Sequence, residues 1–318
     1  MAAALYLVTD GAGFLGSHLT TALLDAGYRV RILDNMTNPS ARRPDARCEL
    51  IHGDVANEQQ IRAAMLGVSG CFHLAAVSSV AQYDENRVEA HRVNFTGSVA
   101  VLKAARAAGA VPVVYASSAA VYGEHNEGPL RESACPRPIS AYGVDKLGAE
   151  LHARISSKRY GLPALGLRFF NIYGPGQRVD SLYSGVISVF IQRLVDKLPL
   201  KIHGTGNQQR DFVYVDDAVA FLRAGMAWLT KSRADAVLNV CTGRAISILA
   251  LARTLGAIAR LDPSFEFEPG RAGDVDSSLG DPAGASATLA LRALTSLEEG
   301  LLRTHCENAD QLASRTEA

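Results

Sequence analysis

The chain has 318 residues, of which 48% are hydrophobic and 20% are charged. This composition is typical of a globular protein with enough apolar material for a buried core, and it excludes disorder along the whole chain. The 32 basic and 32 acidic side chains cancel, which argues against nucleic acid or an anionic membrane surface as a partner. At roughly 150 residues per domain, the length predicts about two domains.

The cysteines and the amino-terminal segment indicate the compartment. No two cysteines form a C-x-x-C pair and their number is odd, which excludes a zinc ribbon and disfavours a disulfide framework. The five are Cys48, Cys71, Cys135, Cys241 and Cys306. The first apolar run has no basic residues before it and is typical of a strand rather than a signal peptide, and no run of 18 apolar residues occurs. We therefore expect a soluble, cytoplasmic protein without a membrane segment.

Short β-branched runs alternate with helical patterns through the first half of the chain. The predicted strands are Leu5–Thr9, Arg29–Leu33, Glu49–His52, Cys71–Leu74, Val111–Ala116 and Ala164–Arg168. The predicted helices begin near Leu15 and at Glu58–Leu66, Arg87–Ala108 and Ala141–Arg159. Strands and helices that alternate in this way predict an α/β fold, with a doubly wound parallel sheet covered on both faces.

The regular alternation of strands and helices ends at about residue 170, and Pro and Gly occur more often after that point. We predict a first domain over residues 1–170, to which a segment near 211–242 returns, and a smaller α/β domain over residues 171–306. Residues 307–318 are polar and are expected to fray.

A glycine-rich turn, Thr9–Gly16, follows the first strand and opens the first helix. In a dinucleotide-binding turn, Gly11 would allow the tight turn, Gly13 would let the backbone approach a pyrophosphate, and Gly16 would let helix and strand pack closely. The helix N-terminus would offer free N–H groups to the phosphates. Asp34 ends the second strand, 18 residues after Gly16, and its carboxylate can accept hydrogen bonds from an adenosine ribose. No Arg follows to bind a 2′-phosphate, so this turn favours NAD over NADP.

Of the ten tyrosines, only Tyr142 has a lysine four residues later, at Lys146. On a helix this spacing places both side chains on one face. A nearby ammonium favours the phenolate, and about 4 kcal/mol of such stabilisation would bring the tyrosine pKa from 10 to about 7. A solvated helix pair has the same spacing, so the pair alone does not decide between a catalytic base and a surface feature.

Ser117 and Ser118 follow the predicted strand that ends at Ala116. They therefore lie at the carboxyl edge, where open α/β sheets place their ligands. A hydroxyl there could bond the reacting oxygen of a substrate while the tyrosine takes its proton.

The glycine turn, Ser118 and the Tyr142/Lys146 pair together resemble the extended short-chain dehydrogenase/reductase family, and within it the nucleotide-sugar epimerases. The resemblance extends over about residues 4 to 305. Its further segments, in order, are 53–55, 73–76, 93–97, 117–123, 168–175, 210–217, 271–274 and 296–300. As an ordered set these motifs are highly specific.

The resemblance implies a Rossmann-type sheet, bound NAD and a nucleoside diphosphate sugar whose keto form turns over in the pocket. It implies that Tyr142 is the base, that Lys146 holds the nicotinamide ribose and lowers the tyrosine pKa, and that Ser118 bonds the reacting hydroxyl. The implied cofactor-binding residues are Gly11, Gly13, Phe14, Leu15, Gly16, Asp34, Asn35, Asp54, Val55, Leu74, Ala75, Ala76, Asn94, Ser117, Tyr142 and Lys146. The implied substrate-binding residues are Ser118, Asn171, Arg210, Arg271, Asp274 and Ser278.

Two alanines narrow the reaction within the family. Sugar dehydratases of this kind carry an Asp-Glu pair after the catalytic hydroxyl and decarboxylases usually place Glu second, whereas this chain has Ala119-Ala120, which cannot exchange a proton. We therefore expect epimerisation, most commonly at C4 of a UDP-hexose or UDP-N-acetylhexosamine. Ser278, where hexose epimerases carry a bulky side chain, leaves room for a 2-acetamido group or a uronic acid.

Alternatives remain open at this point: an epimerase acting at another carbon, a nucleotide-sugar oxidoreductase that exchanges its cofactor, or a non-catalytic NAD sensor. Two departures from the family pattern bear on affinity. Asp10 stands where the family has its first glycine, and its carboxylate is expected near the pyrophosphate, where it would weaken binding. Asp276-Ser277 replaces the residues common after the R-x-G-D segment.

The remaining expectations concern metals and assembly. The eight histidines show no metal-ligand spacing, so no metal is expected, and His73 is predicted to be a buried strand-end residue. Asp216-Asp217 is expected at a helix start, where it would cap. By resemblance, the helices Arg87–Ala108 and Ala141–Arg159 would form a homodimer through an intermolecular four-helix bundle.

Overall fold

The computed structural model describes residues 3–40, 42, 44–78, 83, 85–125, 128–178, 185–270 and 274–316. A seven-stranded parallel sheet forms its centre, with the strand order β10-β6-β5-β4-β1-β2-β3. Its strands are β1 Leu5–Thr9, β2 Arg29–Asp34, β3 Glu49–His52, β4 Gly70–His73, β5 Val113–Ser118, β6 Ala164–Phe169 and β10 Asp235–Val240. The predicted α/β Rossmann-type fold is confirmed.

Strands buried on both faces make this sheet the core of the molecule. Every residue of β4 and of β6 is buried, as expected for parallel strands covered by helices on both sides. One face packs against α1 (Phe14–Asp25) and α7 (Val215–Ser232). The other packs against α2 (Glu58–Ala64), α4 (Gly97–Ala107) and α5 (Ala141–Tyr160).

The chain order reverses between β1 and β4, because β1 leads to β2 and β3 on one side and the chain then crosses to β4 on the other. In open α/β sheets such a reversal leaves a crevice at the carboxyl ends of the strands. The glycine turn after β1, Asp34 at the end of β2 and Ser118 at the end of β5 all lie at this edge.

The second unit is built from shorter pieces. A small sheet joins β7 (Asn171–Tyr173), β9 (Gln209–Tyr214), β11 (Ala245–Ser247) and β13 (Ser277–Ser278), while β8 (Leu200–His203) pairs with β12 (Phe265–Glu268). Its helices are α6 (Val186–Val195), α8 (Ile248–Ala259), α9 (Ala283–Leu289) and α10 (Leu297–Thr316). A separate apolar cluster that includes Phe190, Leu200 and Leu251 holds this unit together.

The segment near 211–242 contributes to both sheets. Its first part, β9, pairs within the small sheet, whereas α7 and β10 join the large sheet, where β10 pairs with β6. The backbone of α10 continues to Thr316, although the polar segment 307–318 is predicted to fray.

The helix predicted over Arg87–Ala108 is interrupted by a wider turn. It consists of α3 (Arg87–His91), a π-helical turn over Arg92–Thr96, and α4. Within that turn, the amide of Asn94 accepts a hydrogen bond from the backbone N–H of Val77 at 2.7 Å and donates one to its carbonyl at 3.0 Å. π-Turns are found at functional sites, and this one holds the segment after β4 in place.

Within the described ranges, none of the helices combines the length and apolarity needed to cross a bilayer.

Candidate active site

A cleft of about 700 Å³ runs along the carboxyl edge of the large sheet and continues between the two units. Its walls come from the glycine turn, the ends of β2, β4 and β5, the first turns of α5, and the segment after β6. The small sheet supplies the far wall with Arg210 of β9 and Ser278 of β13. Clefts of this size between units are the usual sites of small-molecule binding.

The glycine turn packs tightly against its own strand. A Cβ on Gly16 would collide with the carbonyl oxygen of Asp10, and a Cβ on Gly11 would lie 2.7 Å from the side chain of Ile32. Asp10 itself adopts the left-handed conformation, with φ of 57°, which aspartate tolerates better than most residues. The positive φ of this turn therefore lies at Asp10, where the family has its first glycine, and Gly11 is needed for close packing against Ile32.

Asp34 is held rigidly at the end of β2. Its carboxylate accepts hydrogen bonds from the N–H of Ala12 at 3.0 Å and from the N–H of Met36 at 2.8 Å. The side chain is buried yet borders the cleft. A carboxylate has about four acceptor sites, so these two bonds leave capacity for a ribose hydroxyl.

The floor of the cleft after β4 is fixed by a buried chain of hydrogen bonds. The hydroxyl of Thr9 accepts from the N–H groups of Leu74 and Ala75, both at 3.1 Å, and lies 2.9 Å from Nδ1 of His73. Nε2 of His73 lies 3.0 Å from the hydroxyl of Ser98. Burial, together with the positive Lys146, lowers the pKa of His73 to about 3. The ring is therefore neutral and serves as a structural link, as the sequence predicts.

Tyr142 and Lys146 are positioned by the start of α5. Ser140 caps this helix by accepting a hydrogen bond from the N–H of Gly143 at 3.1 Å, which places Tyr142 in the first turn and Lys146 one turn later. The Lys146 ammonium donates to the carbonyl of Ala116 at 2.9 Å. The Ser118 hydroxyl lies close enough to the phenol of Tyr142 to lower its pKa, and it accepts a hydrogen bond from the N–H of Ala120 at 3.1 Å. The structure thus brings the three predicted catalytic residues together.

The electrostatics of this trio bear on the expectation that Lys146 lowers the tyrosine pKa. Burial raises the pKa of Tyr142, and the hydrogen bond from Ser118 opposes this rise. Burial lowers the pKa of Lys146 to about 8, against the opposing effect of Asp10 and Asp145. In the protein alone, burial is therefore the largest influence on the Tyr142 pKa, and the Lys146 ammonium donates to Ala116. The lowering expected from Lys146 stays a prediction.

A buried ion pair lies directly behind Ser118. The guanidinium of Arg168 on β6 makes two hydrogen bonds to Glu150 of α5, at 2.8 and 2.7 Å. The hydroxyl of Ser117 donates to the same carboxylate at 2.5 Å. Ser117 therefore borders the cleft while its side-chain hydroxyl points away from it, and the network ties β5, β6 and α5 to one another.

On the far wall, Arg210 is the main charged residue. Burial lowers its pKa, while Asp274 and Asp276 oppose this effect. Its guanidinium donates to the carbonyl of Val275 at 2.8 Å and lies 3.6 Å from the carboxylate of Asp274. Ser278 is the cross-strand partner of Arg210. This wall combines a cation suited to phosphate with a small residue beside it.

A model of the NAD-dependent epimerase/dehydratase family matches residues 6–241. The chain belongs to this family.

Individual members of the family resemble the chain over most of its length. A putative UDP-glucose 4-epimerase of Methanocaldococcus jannaschii is 33% identical over 76% of this chain and 78% of its own. The crystal structure of UDP-glucose 4-epimerase from Thermotoga maritima with UDP-glucose superposes with a TM-score of 0.91 at 30% identity, covering 97% of this chain and 99% of that one. The UDP-N-acetylglucosamine 4-epimerase of Methanobrevibacter ruminantium, in complex with UDP-N-acetylmuramic acid, gives 0.90 at 29%, covering 98% and 100%.

The predicted resemblance, the NAD cofactor and the prediction of an NAD-dependent epimerase are confirmed by this family membership. The residues also fit the cofactor. The backbone at Gly13, the fixed carboxylate of Asp34 and the ordered backbone at Leu74 and Ala75 form a cradle along the cleft. The carboxyl of Asp10 lies within that cradle, over Gly13.

Most of the residues predicted for the site of this epimerase-family chain border the cleft. They are Gly13, Phe14, Leu15, Asp34, Asn35, Asp54, Val55, Leu74, Ala75, Ala76, Ser117, Ser118, Tyr142, Lys146, Asn171, Arg210, Asp274 and Ser278. Gly11, Gly16 and Asn94 lie behind it: the two glycines pack the turn, and Asn94 holds Val77, which does line the cleft. Arg271 lies outside the described residues.

Several residues that line the cleft were not predicted from the sequence, among them Asn38, Val77, Glu89, Phe170 and Gln177. Phe170 lies within the segment 168–175 that contains Asn171, and Gln177 lies two residues after it, so this motif is the signal that could have found them. Asn38 and Glu89 carry no comparable signal, because the fold alone brings them to the cleft.

Proposed function

We propose that this protein epimerises a nucleoside diphosphate sugar, at C4 of a UDP-hexose or UDP-N-acetylhexosamine, through a transient keto-sugar. The observation that carries the proposal is that Ser118, Tyr142 and Lys146 line the same cleft as the glycine turn, with Ser118 close enough to the phenol of Tyr142 to affect its pKa. The UDP-sugar epimerases that resemble the chain support the substrate class.

Ser118, Tyr142 and Lys146 each have a separate role in the proposed reaction. NAD, when bound, supplies the hydride acceptor and later the hydride donor. Ser118 orients the reacting hydroxyl of the sugar, and Tyr142 takes the hydroxyl proton as the carbon is oxidised and returns it on reduction. Lys146, anchored on Ala116, stabilises negative charge as the proton moves.

The cleft also supports epimerisation over elimination. Ala119 and Ala120 directly follow Ser118 and line the cleft, so their methyl groups stand where a further acid or base would be needed to remove water. An epimerase needs no such group, because it oxidises and then reduces the same carbon.

The diphosphate would be held on the far wall. The side chain of Arg210, 13% exposed, borders the cleft there and can donate forked hydrogen bonds to phosphate oxygens, and Asn171 lines the same wall. Ser278 beside Arg210 leaves space next to the sugar, which favours a substrate with a 2-acetamido group.

The experiment that tests the function is incubation of the purified protein with a panel of UDP-sugars, followed by NMR of the products. We expect one epimer pair to interconvert without net formation of NADH. Tyr142→Phe should lower turnover by about 10²–10⁴ and leave NAD affinity unchanged. Tyr160→Phe, on the exposed end of the same helix, is the matched control and should keep full activity. Full turnover in Tyr142→Phe would remove this residue from the mechanism.

A second candidate is a nucleotide-sugar oxidoreductase that exchanges its cofactor in each cycle. It is favoured by the carboxyl of Asp10 over Gly13, since a negative charge there would weaken cofactor retention. The same incubation distinguishes the two candidates: an oxidoreductase would consume added NAD in proportion to product, whereas the epimerase would not.

We also propose a homodimer through α3 and α5. The side chains of Val144, Leu151 and Ile155 are each about half exposed and lie along one stripe of α5, and Val88 on α3 is 84% exposed. Leu151→Glu should convert a dimer to a monomer in analytical ultracentrifugation. Leu302→Glu, equally exposed on α10, should leave the dimer intact. A monomeric unmutated protein at micromolar concentration would overturn the proposal.

A further inference from the structure

The side chain of Asp10 lies where a phosphate would have to approach. Its carboxyl group covers the bare Cα of Gly13, and a Cβ on Gly13 would collide with all three atoms of that group. Gly13 is the residue just before α1, whose first N–H groups face the cleft at the positive end of the helix. In a dinucleotide-binding turn this is the surface that the pyrophosphate contacts.

Fixed charges surround the carboxyl of Asp10. The carboxylate of Asp34, at the end of β2, raises the pKa of Asp10, and the ammonium of Lys146 on α5 lowers it. Burial has the largest effect, and the pKa of Asp10 lies well above its usual value. His73 on β4, whose pKa burial and Lys146 lower to about 3, is neutral. One cation and one further anion therefore face this carboxyl.

A pyrophosphate brought to Gly13 would place further negative charge against this carboxyl. In a partly desolvated cleft, two such charges repel strongly. The repulsion disappears when the carboxyl is protonated, and a protonated carboxyl can instead donate a hydrogen bond to a phosphate oxygen. The binding step takes up one proton: a proton from solvent joins one carboxyl oxygen of Asp10 as the cofactor binds, and the bonds of the cofactor stay unchanged.

We propose that Asp10 couples dinucleotide binding to the uptake of one proton, so that NAD binds reversibly and is released as the pH rises. The inference concerns the cofactor alone and does not depend on the identity of the sugar substrate.

The test is isothermal titration calorimetry of the protein, freed of cofactor, with NAD at several pH values from about 6 to about 9. Titrations in two buffers of different ionisation enthalpy give the number of protons taken up. We expect the dissociation constant to rise with pH, with a limiting slope of about tenfold per pH unit above the pKa of free Asp10. Proton uptake should approach one in the same range.

Asp10→Asn is the matched variant, because asparagine has nearly the same size, carries no charge, and tolerates φ of 57° as well as aspartate does. At pH 8 it should bind NAD about tenfold or more tightly than the unmutated protein. Lys146, with a pKa of about 8, loses its positive charge in the same range, and this loss also weakens NAD binding. Asp10 raises the pKa of Lys146, so Asp10→Asn also shifts the loss of this charge to lower pH. Repeating the comparison in a Lys146→Met background removes this contribution, and the difference between aspartate and asparagine should persist there.

Two probes separate the pyrophosphate from the rest of the cofactor. ADP-ribose carries a pyrophosphate and no nicotinamide, and it should show the same difference between Asp10→Asn and the unmutated protein. Adenosine carries no phosphate and should bind both proteins equally. Asp10→Gly, which removes charge and bulk together, should bind NAD at least as tightly as Asp10→Asn.

The outcomes are decisive. A steep pH dependence that is reduced in Asp10→Asn, with proton uptake lost, supports the proposal. Equal affinities and equal slopes in the two proteins would overturn it. If only Asp10→Gly binds more tightly, the bulk of the side chain and not its charge limits binding, and proton coupling is wrong.

Discussion

The two walls of the cleft are built in different ways. On the sheet side, Ser118 ends a six-residue strand, and Tyr142 and Lys146 follow the capped start of a 20-residue helix. On the far side, Ser278 lies on a two-residue strand. Arg210 is held there by the backbone carbonyl of Val275 and the half-exposed Asp274.

We infer from this difference that the proposed catalytic residues and the residues proposed to select the substrate are held in place in different ways. The sheet side, which carries the three proposed catalytic residues, is held by buried hydrogen bonds that connect β5, β6 and α5. The core therefore fixes the positions of its atoms. The far side rests on short edge pairings, which a substitution can alter without disturbing the large sheet. We therefore expect substitutions behind the catalytic side to cost stability, and those on the far side to change affinity or selectivity.

The largest effect is expected from breaking the buried ion pair. Glu150→Ala would leave the Arg168 guanidinium, which is 5% exposed, without its carboxylate, at a cost of about 3–5 kcal/mol in the free energy of unfolding. Urea denaturation measures this loss.

Glu58→Ala is the control for that substitution. Glu58 pairs with Lys103 at 2.7 Å with both side chains about two-thirds exposed, and such surface pairs contribute about 0–1 kcal/mol. Equal losses for the two variants would show that the network behind Ser118 is no stronger than a surface pair.

The next effect concerns the far wall. Arg210→Ala should raise KM for the nucleotide sugar by about 10- to 100-fold, since a charge-assisted hydrogen bond contributes about 1.5–3 kcal/mol. Turnover and the free energy of unfolding should change much less. Steady-state kinetics with Arg244→Ala provides the control, because Arg244 is exposed and directly precedes β11, which pairs with β9 beside Arg210. A larger change in kcat than in KM would place Arg210 among the residues that act on the transition state.

The contrast between the walls also explains what the sequence could predict. The strand ends carry compact motifs, so Gly13, Asp34, Ser118, Tyr142 and Lys146 could be singled out from short segments and the family resemblance, and all five line the cleft. The direction of the Tyr142 pKa could not be predicted in this way, because it depends on how far the folded cleft excludes water. Nor could the inward turn of Ser117, which needs Glu150 and Arg168 brought together from distant positions.

A smaller effect is expected in the pH dependence of the free energy of unfolding, and it arises from His73 on the sheet side. The pKa of His73 is lowered from 6.5 to about 3, so the unfolded chain takes up a proton in this window and the folded protein does not. Stability therefore falls as the pH drops from about 6.5 towards 3, by about 2 kcal/mol between pH 7 and pH 5 for this residue alone. Urea midpoints for His73→Asn should show a weaker pH dependence than the unmutated protein, whereas His52→Asn, at an exposed position, should not.

The smallest effect is a change in selectivity at Ser278. Because Ser278 lines the cleft beside Arg210 on a two-residue strand, a tyrosine there would narrow the sugar side of the pocket without entering the large sheet. We expect Ser278→Tyr to lower kcat/KM for a UDP-N-acetylhexosamine by about tenfold relative to the corresponding UDP-hexose, in line with the 1–3 kcal/mol of small steric differences. Ser278→Ala, which removes the hydroxyl without adding bulk, should leave the ratio unchanged.

NAD affinity and the urea midpoint should stay the same in both variants, because neither touches the glycine turn or the buried ion pair. Equal losses for the two sugars would mean that the tyrosine obstructs the diphosphate rather than the acetamido group, and the space beside Arg210 would then have no part in selecting the sugar.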